Sequence, residues 1–344
     1  MHISAFLLVE VEMVERSRSL GFWMVRGLGL LVGLAVLVAA CGVVFQQIAE
    51  NRDMAAFPAP GTYYDVGDVR LHMYCEGQGS QTLIFLSGMG NPVASFDPLA
   101  RELHPYVRVC AYDRDGLGWS EDSGLPRDAG VASQRLARLL DVAEIEGPVM
   151  LLGHSYGALV ARVFADRFPD RVSGLVLLDS SHEDMGERFP PFAQEGFRDL
   201  LTGFQLAALL NRFGLPRGVG LFEPAIDGLE GKDFDRSLAQ LNSVSHMIAT
   251  GEEARGWERS AVAARVARGH GFGDLPLDVF MVGGWPPEMM PSWTAMQREL
   301  ADFSRRSRFH FLDAANHSQI GMDARYVPLV AAAVRARLSE SASP

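Results

Sequence analysis

Between residues 62 and 180 the apolar side chains change their period repeatedly, and this alternation restricts the fold more than any other feature of the chain. VRLHMYCEG (69–77), TLIFLSG (82–88), VRVCAYD (107–113), VMLLG (149–153) and VLLDS (176–180) are apolar runs of strand length. Between them, ASQRLARLLDVAEI (132–145) repeats Leu136, Leu139, Leu140 and Val142 at helical spacing, and YGALVARVFADRF (156–168) does the same with Leu159, Val160 and Phe164. Strand, helix and strand in succession predict a mostly parallel sheet covered by helices. Residues 181–272 interrupt the rhythm with Leu-rich pieces such as GFRDLLTGFQLAALLNRF (196–213) and read as a helical insertion. Alternation then resumes with LDVFMVGG (277–284), a helix around SWTAMQRELADFS (292–304), the strand SRFHFLD (307–313) and a closing helix YVPLVAAAVRARL (326–338).

The first 60 residues follow a different rule. From Gly27 to Ala49 no side chain is charged, and the run over 27–45 is about 28 Å long as a helix, close to the thickness of a bilayer core. This predicts a membrane segment over 27–48, preceded by a cytoplasmic stretch (1–26) and followed by a polar, Pro-containing linker (49–61). Arg16, Arg18 and Arg26 lie before the run, so the positive-inside rule places the N-terminus in the cytoplasm and the main domain across the membrane. Two other readings fit the same residues. One is a lipoprotein signal, cleaved and lipidated at Cys41 of Val38-Ala-Ala-Cys41, with Met24 as the start; the other is an apolar helix packed on the protein.

Gly153-His-Ser-Tyr-Gly157 lies between a predicted buried strand and a predicted helix. A serine there sits on a tight turn whose flanking positions have no room for side chains, and its hydroxyl is held at the carboxyl edge of the sheet. The start of the following helix and the Tyr156 amide can stabilise negative charge beside it. This marks Ser155 as a candidate nucleophile.

With GHSYG, the segments FLSGMGNP (85–92) and YDRDGLGWS (112–120) make the chain similar to the α/β-hydrolase family over roughly residues 62–340. The resemblance implies an α/β fold with a mostly parallel eight-stranded sheet, helices on both faces and a helical cap inserted after the sixth strand. Core (62–180 and 273–344) and cap (181–272) follow from it. It also implies a base in His317, within LDAANHSQIG after the last strand, and an oxyanion hole from the backbone N–H groups of Met89 and Tyr156. His154 within the elbow is expected to support the turn, His182 to line the cap entrance, and Asp113 and Arg114 to fix the turn beneath the site. His72, His104, His246 and His310 read as surface or core side chains.

The acid departs from the family's common pattern. Most members place an Asp after the seventh strand, where this chain has MVGGWPPEMM and offers only Glu288. Asp179, at the end of the sixth strand in LVLLDSSHED, is the preferred acid, with Glu288 as the alternative and Asp184 behind it. The family's strand order also makes the strands carrying Cys75 and Cys110 neighbours, which allows a disulfide in an oxidising compartment; two buried free thiols are the other reading.

With the apolar segment, the resemblance implies a membrane-anchored serine hydrolase of carboxylesterase type acting on a small-molecule ester, and the Phe-, Leu- and Met-rich cap favours an apolar group in it. Other acyl or carbon–carbon hydrolysis, perhydrolysis on the same triad, and a catalytically silent ligand-binding member are the alternatives. A nucleophilic serine disfavours dehalogenases and epoxide hydrolases, which use an aspartate. A net charge of −11 argues against nucleic acid as a partner. With no His/Cys cluster at metal-ligand spacing and no G-x-G-x-x-G after the first strand, neither a metal nor a nucleotide cofactor is expected.

Overall fold

The computed structural model describes the backbone of residues 3–341 and the side chains of residues 23–340. Arg16 and Arg18, invoked above for orientation, have side chains outside the described residues.

Eight strands form one sheet: β1 (Thr62–Asp65), β2 (Arg70–Glu76), β3 (Thr82–Leu86), β4 (Arg108–Tyr112), β5 (Val149–His154), β6 (Val172–Leu178), β7 (Leu277–Val282) and β8 (Ser307–Leu312). Their order is β1-β2-β4-β3-β5-β6-β7-β8. Only the β1–β2 and β2–β4 pairings are antiparallel; the other five are parallel. The apolar runs are continuous because both faces of the sheet are covered. Ile84, Leu151 and Leu177 point to one side, while Phe85, Leu152 and Val176 point to the other.

Helices α1 (Ile3–Ala56), α2 (Asp97–Leu103), α3 (Ala129–Val142), α4 (Tyr156–Arg167), α5 (Met185–Arg188), α6 (Pro191–Asn211), α7 (Leu215–Gly218), α8 (Gly231–Leu241), α9 (Val244–Arg255), α10 (Trp257–His270), α11 (Met290–Ala301) and α12 (Val327–Ser341) complete the chain. Side chains of α3, α4 and α11 enter the core on one face, and those of α2 and α12 enter it on the other. The helices α5–α10 stand between β6 and β7, and a separate apolar cluster around Phe222, Ile226 and Met247 packs α6, α8 and α9 against one another. The last of the inserted helices is shared: Ala261 and Ala264 of α10 belong to the core cluster of α3 and α4. Cys75 and Cys110 face each other across β2 and β4 and are joined by a disulfide.

Two elements escape the periodicity argument. Strand β1 is only four residues, mostly exposed at the sheet edge, and α2 is a two-turn helix that starts at Asp97-Pro98. The N-terminal helix also differs from expectation. It contains a window of mean hydropathy 2.8 within Trp23–Ala56, long and apolar enough to cross a membrane, but it does not give way to a linker at residue 49. Instead it continues through Ala56, because its polar last turns have partners on the cap. Gln46 Nε2 donates to the Asn242 carbonyl at 2.6 Å, Asp53 pairs with Arg217 at 2.7 Å, and Glu50 accepts from the Val244 amide.

Candidate active site

Three chain segments converge at the carboxyl ends of the strands. Ser155 follows β5 directly and has φ 52° and ψ −120°, a conformation that a non-glycine residue adopts only where its surroundings impose it. Its amide donates to the Leu178 carbonyl (3.0 Å), and its own carbonyl accepts from Ala158 and Ser181, so the turn is fixed from both sides. The flanking glycines are there for space. A Cβ on Gly153 would lie 2.5 Å from the Ala158 Cα, and one on Gly157 would run into the carbonyl oxygens of Leu86 and Ser87.

Asp179 follows β6, is fully buried and also has a positive φ, of 41°. Every partner of its carboxylate is an N–H donor. Oδ2 accepts from His317 Nδ1 (2.6 Å) and Trp285 Nε1 (3.0 Å), and Oδ1 accepts from Trp293 Nε1 (2.9 Å) and the Val282 amide (3.2 Å). Because His317 gives its Nδ1 proton to Asp179, its Nε2 lone pair is left for another partner. His317 follows β8, and its ring packs on Trp285 and His154 with centroids 5.2 and 4.6 Å away.

Glu288, by contrast, is exposed and away from this carboxylate-imidazole pair, and Asp184 is engaged with Arg265 and Arg268 on the cap. The place after β7 where an acid was sought holds Trp285, which donates to Asp179 instead. Trp285 and Trp293 are the site residues that sequence reasoning missed. The usable signal was two tryptophans just after a strand that lacks the expected acid.

Ser155, His317, Met89 and Tyr156 line one cavity of about 460 Å³. The Ser155 Oγ has Ser181 Oγ as its neighbour at 3.4 Å. The backbone N–H groups of Met89 and Tyr156 donate to no protein acceptor among the described residues. Both remain available to an anion formed beside Ser155. Phe189, Phe192, Phe197, Leu201 and Phe204 make much of the remaining wall. Among the described residues no Asp, Glu, Lys or Arg lines it.

The loop carrying Met89 is held from below and above. Arg114 donates to the carbonyls of Ser87 (2.6 Å) and Gly88 (3.0 Å) and makes a two-point pair with Glu253 of α9 (2.6 and 2.9 Å). Burial works against the Arg114 charge, but Glu253 outweighs it and raises the pKa above the ordinary guanidinium value. His246, also on α9, donates to the Gly90 carbonyl at 2.8 Å and accepts from Gly118 at 2.9 Å. Burial lowers its pKa, and the Gly90 carbonyl, Asp113 and Glu253 offset that only in part.

The remaining histidines have separate places. His154 donates from Nε2 to the His317 carbonyl at 2.8 Å, and burial, with His317 beside it, takes its pKa down to about 3. It therefore steadies the His317 loop as a neutral ring. His182 does not line the cap entrance: it is fully buried and accepts the Asp184 amide at 3.1 Å. His72 is buried against Asp113 at 3.0 Å, His310 pairs with Asp278 at 2.6 Å at the end of the sheet, and His104 caps α2.

A family profile described as "Alpha/beta hydrolase family" matches residues 83–332. Among curated relatives, an uncharacterized protein of Schizosaccharomyces pombe is 24% identical over 76% of this chain and 53% of its own length. The 2-hydroxymuconate semialdehyde hydrolase of a Pseudomonas species is 27% identical over 79% of this chain and 93% of its own. The chain spans about half the length of the curated relatives it matches first, at 53%, 46% and 43% of them. Among solved structures, a thermophilic esterase from Thermogutta terrifontis superimposes with a TM-score of 0.62 at 19% identity, covering 83% of this chain and 100% of that one. That likeness speaks to the fold.

Proposed function

The chain belongs to the alpha/beta hydrolase family, and from that premise we propose that it is a serine hydrolase that cleaves carboxylic esters through Ser155, His317 and Asp179. The observation that carries this reading is the 2.6 Å bond from His317 Nδ1 to a buried Asp179, on the wall of the cavity that Ser155 enters with a strained backbone.

In this reading Ser155 turns its Oγ from Ser181 toward His317 Nε2 and attacks the ester carbonyl carbon, while His317 takes the hydroxyl proton. The tetrahedral oxyanion lies against the amides of Met89 and Tyr156. His317 then protonates the departing alkoxide, leaving an acyl-serine. Water, deprotonated by the same imidazole, releases the acid and restores Ser155. Asp179 holds the imidazole in the Nδ1–H tautomer and stabilises its cationic form; the two tryptophans hold Asp179.

The relative from Pseudomonas favours a second reading, hydrolysis of a muconate-type semialdehyde on the same residues. Such a substrate carries a carboxylate, and the cavity wall offers no cation to meet it. A neutral ester fits better.

For location, the proposal is a single-pass anchor in α1 with the catalytic domain on the extracytoplasmic side. The arginine-rich side of the apolar run and the Cys75–Cys110 disulfide support it. A lipid on Cys41 is the rival, and the mass of the mature N-terminus decides between them.

The test of function is a fluorophosphonate probe and short p-nitrophenyl esters on the full chain in detergent. Ser155→Ala removes labelling and turnover, Asp179→Asn lowers kcat by roughly 10³–10⁴-fold, and Glu288→Gln changes it by less than about twofold. A folded chain that neither labels nor turns over would point to a silent ligand-binding member. Loss with Glu288→Gln alone would move the acid.

A further inference from the structure

The cap carries an apolar surface that the catalytic reading does not use. Leu206 and Leu209 on the outer side of α6, Leu215 and Val219 around α7, and Leu221 just beyond are all more than half exposed, Val219 by 77%. From Leu200 to Leu221 the chain has no acidic residue and two arginines, Arg212 and Arg217, within a protein whose net charge is −11. An apolar strip with an exposed arginine, Arg212, at its edge matches an acyl-chain layer beneath anionic headgroups, while Arg217 is taken up by Asp53.

What covers this strip is indicated by its neighbour. The turn between α6 and α7 touches the end of the apolar run of α1: a Cβ on Gly42 would sit 2.5 Å from the Phe213 carbonyl oxygen, and one on Gly214 would sit 2.8 Å from the Phe45 ring. Arg217 of α7 bonds to Gln46 at 3.2 Å and pairs with Asp53. Val43, Val44 and Phe45 of α1 are themselves exposed beside this turn. When residues 27–45 occupy the bilayer core, the turn at 213–214 stands level with the last of them, so the strip lies in the same lipid interface.

We infer that the outer face of α6 and α7 rests in the lipid interface, and that the catalytic cavity takes its substrate, an ester with a long acyl or alkyl chain, from the bilayer rather than from water. The link to the cavity is α6 itself. Phe192 and Leu200 are about half exposed and also line the cavity, so one helix carries both the interfacial strip and the cavity edge. An amphiphile leaving the interface along α6 meets Leu206, Leu200 and Phe192, with the exposed Glu195, Arg198 and Asp199 of the same helix beside them.

This inference rests on the hydrolase reading and on α1 crossing the membrane, and the experiment keeps the three apart. The full chain, with Cys41→Ser, is reconstituted in vesicles of phosphatidylcholine and phosphatidylglycerol that contain nitroxide-labelled lipid. A fluorophore is placed on Leu34→Cys, Val219→Cys or Val142→Cys, the last on α3 as the distant exposed control. Quenching at positions 34 and 219 but not 142 is expected. Quenching at 34 without 219 overturns the inference and leaves the anchor in place; quenching at neither removes both.

In parallel, Val219→Asp with Leu221→Asp is assayed on a long-chain ester in the vesicles and on a short soluble ester. The expected result is a loss of at least about fivefold in kcat/KM on the vesicle substrate, with short-ester turnover kept within about twofold. Equal effects on both substrates overturn delivery from the bilayer. Absence of short-ester turnover in the unsubstituted chain instead removes the hydrolase reading on which delivery depends.

Discussion

At the scale of single residues, the serine and the histidine of the candidate site were readable because each sits in a local pattern, GHSYG after an apolar run and an Asn-His-Ser after the last strand. Asp179 was readable through the family resemblance, because the seventh strand ends without an aspartate and some branches of the family take the acid from the end of the sixth. The role of the tryptophans that hold Asp179 was signalled only by their place after a strand without the expected acid: Trp285 and Trp293 lie 106 and 114 residues away in the chain and meet it only when β6 and β7 pair. His154 offers a test at this scale. Unfolded, it takes a proton near its ordinary pKa of 6.5; folded, it does so only near 3. The unfolded state thus binds more protons between those values, and stability falls as pH falls through this window. At pH 5 the contribution is about 2 kcal/mol. In His154→Gln, the drop in unfolding free energy between pH 7 and pH 5, measured by denaturant titration, shrinks by about that amount. An unchanged slope would mean that the folded ring titrates normally.

Among elements, those with long periodic apolar faces, such as α3, α4 and α12, were legible from spacing. Strand β1 was not, because four edge residues bury too little to leave a pattern, and the last turns of α1 were misread because their helicity depends on cap partners rather than on their own composition. The contact between α9 and the loop over 87–90 is likewise a product of folding. Arg114 supports that loop, and its charge is balanced by Glu253 from the cap. Arg114→Met strands a buried carboxylate and costs about 3–5 kcal/mol. Pairing it with Glu253→Met restores much of the melting temperature, since the orphaned charge is gone. Ester turnover stays low in the double variant, because Ser87 and Gly88 still lack their donors. Full recovery of both properties would show that the pair only stabilises the fold.

For the whole molecule, the disulfide joins β2 and β4 over a separation of 35 residues, at the side of the sheet where pairing is antiparallel. Closing a loop of that length restricts the unfolded chain by about 4 kcal/mol in the chain-entropy account. Cys75→Ser with Cys110→Ser, or reduction before unfolding, is expected to lower the melting temperature by several degrees, on the order of 5–10 °C, and equal melting with and without reductant would refute it. The unbroken passage of α1 into the cap has a consequence of another kind. A catalytic domain on a slack tether samples a volume, and its encounters follow concentration per litre. If α1 is the proposed anchor, its contacts with the cap through Gln46, Glu50 and Asp53 leave the domain no such volume to sample. With α1 in a bilayer and the substrate drawn from it, as proposed, the search becomes two-dimensional, and the rate follows molecules per unit area: diluting the substrate with inert lipid slows turnover, whereas adding buffer does not.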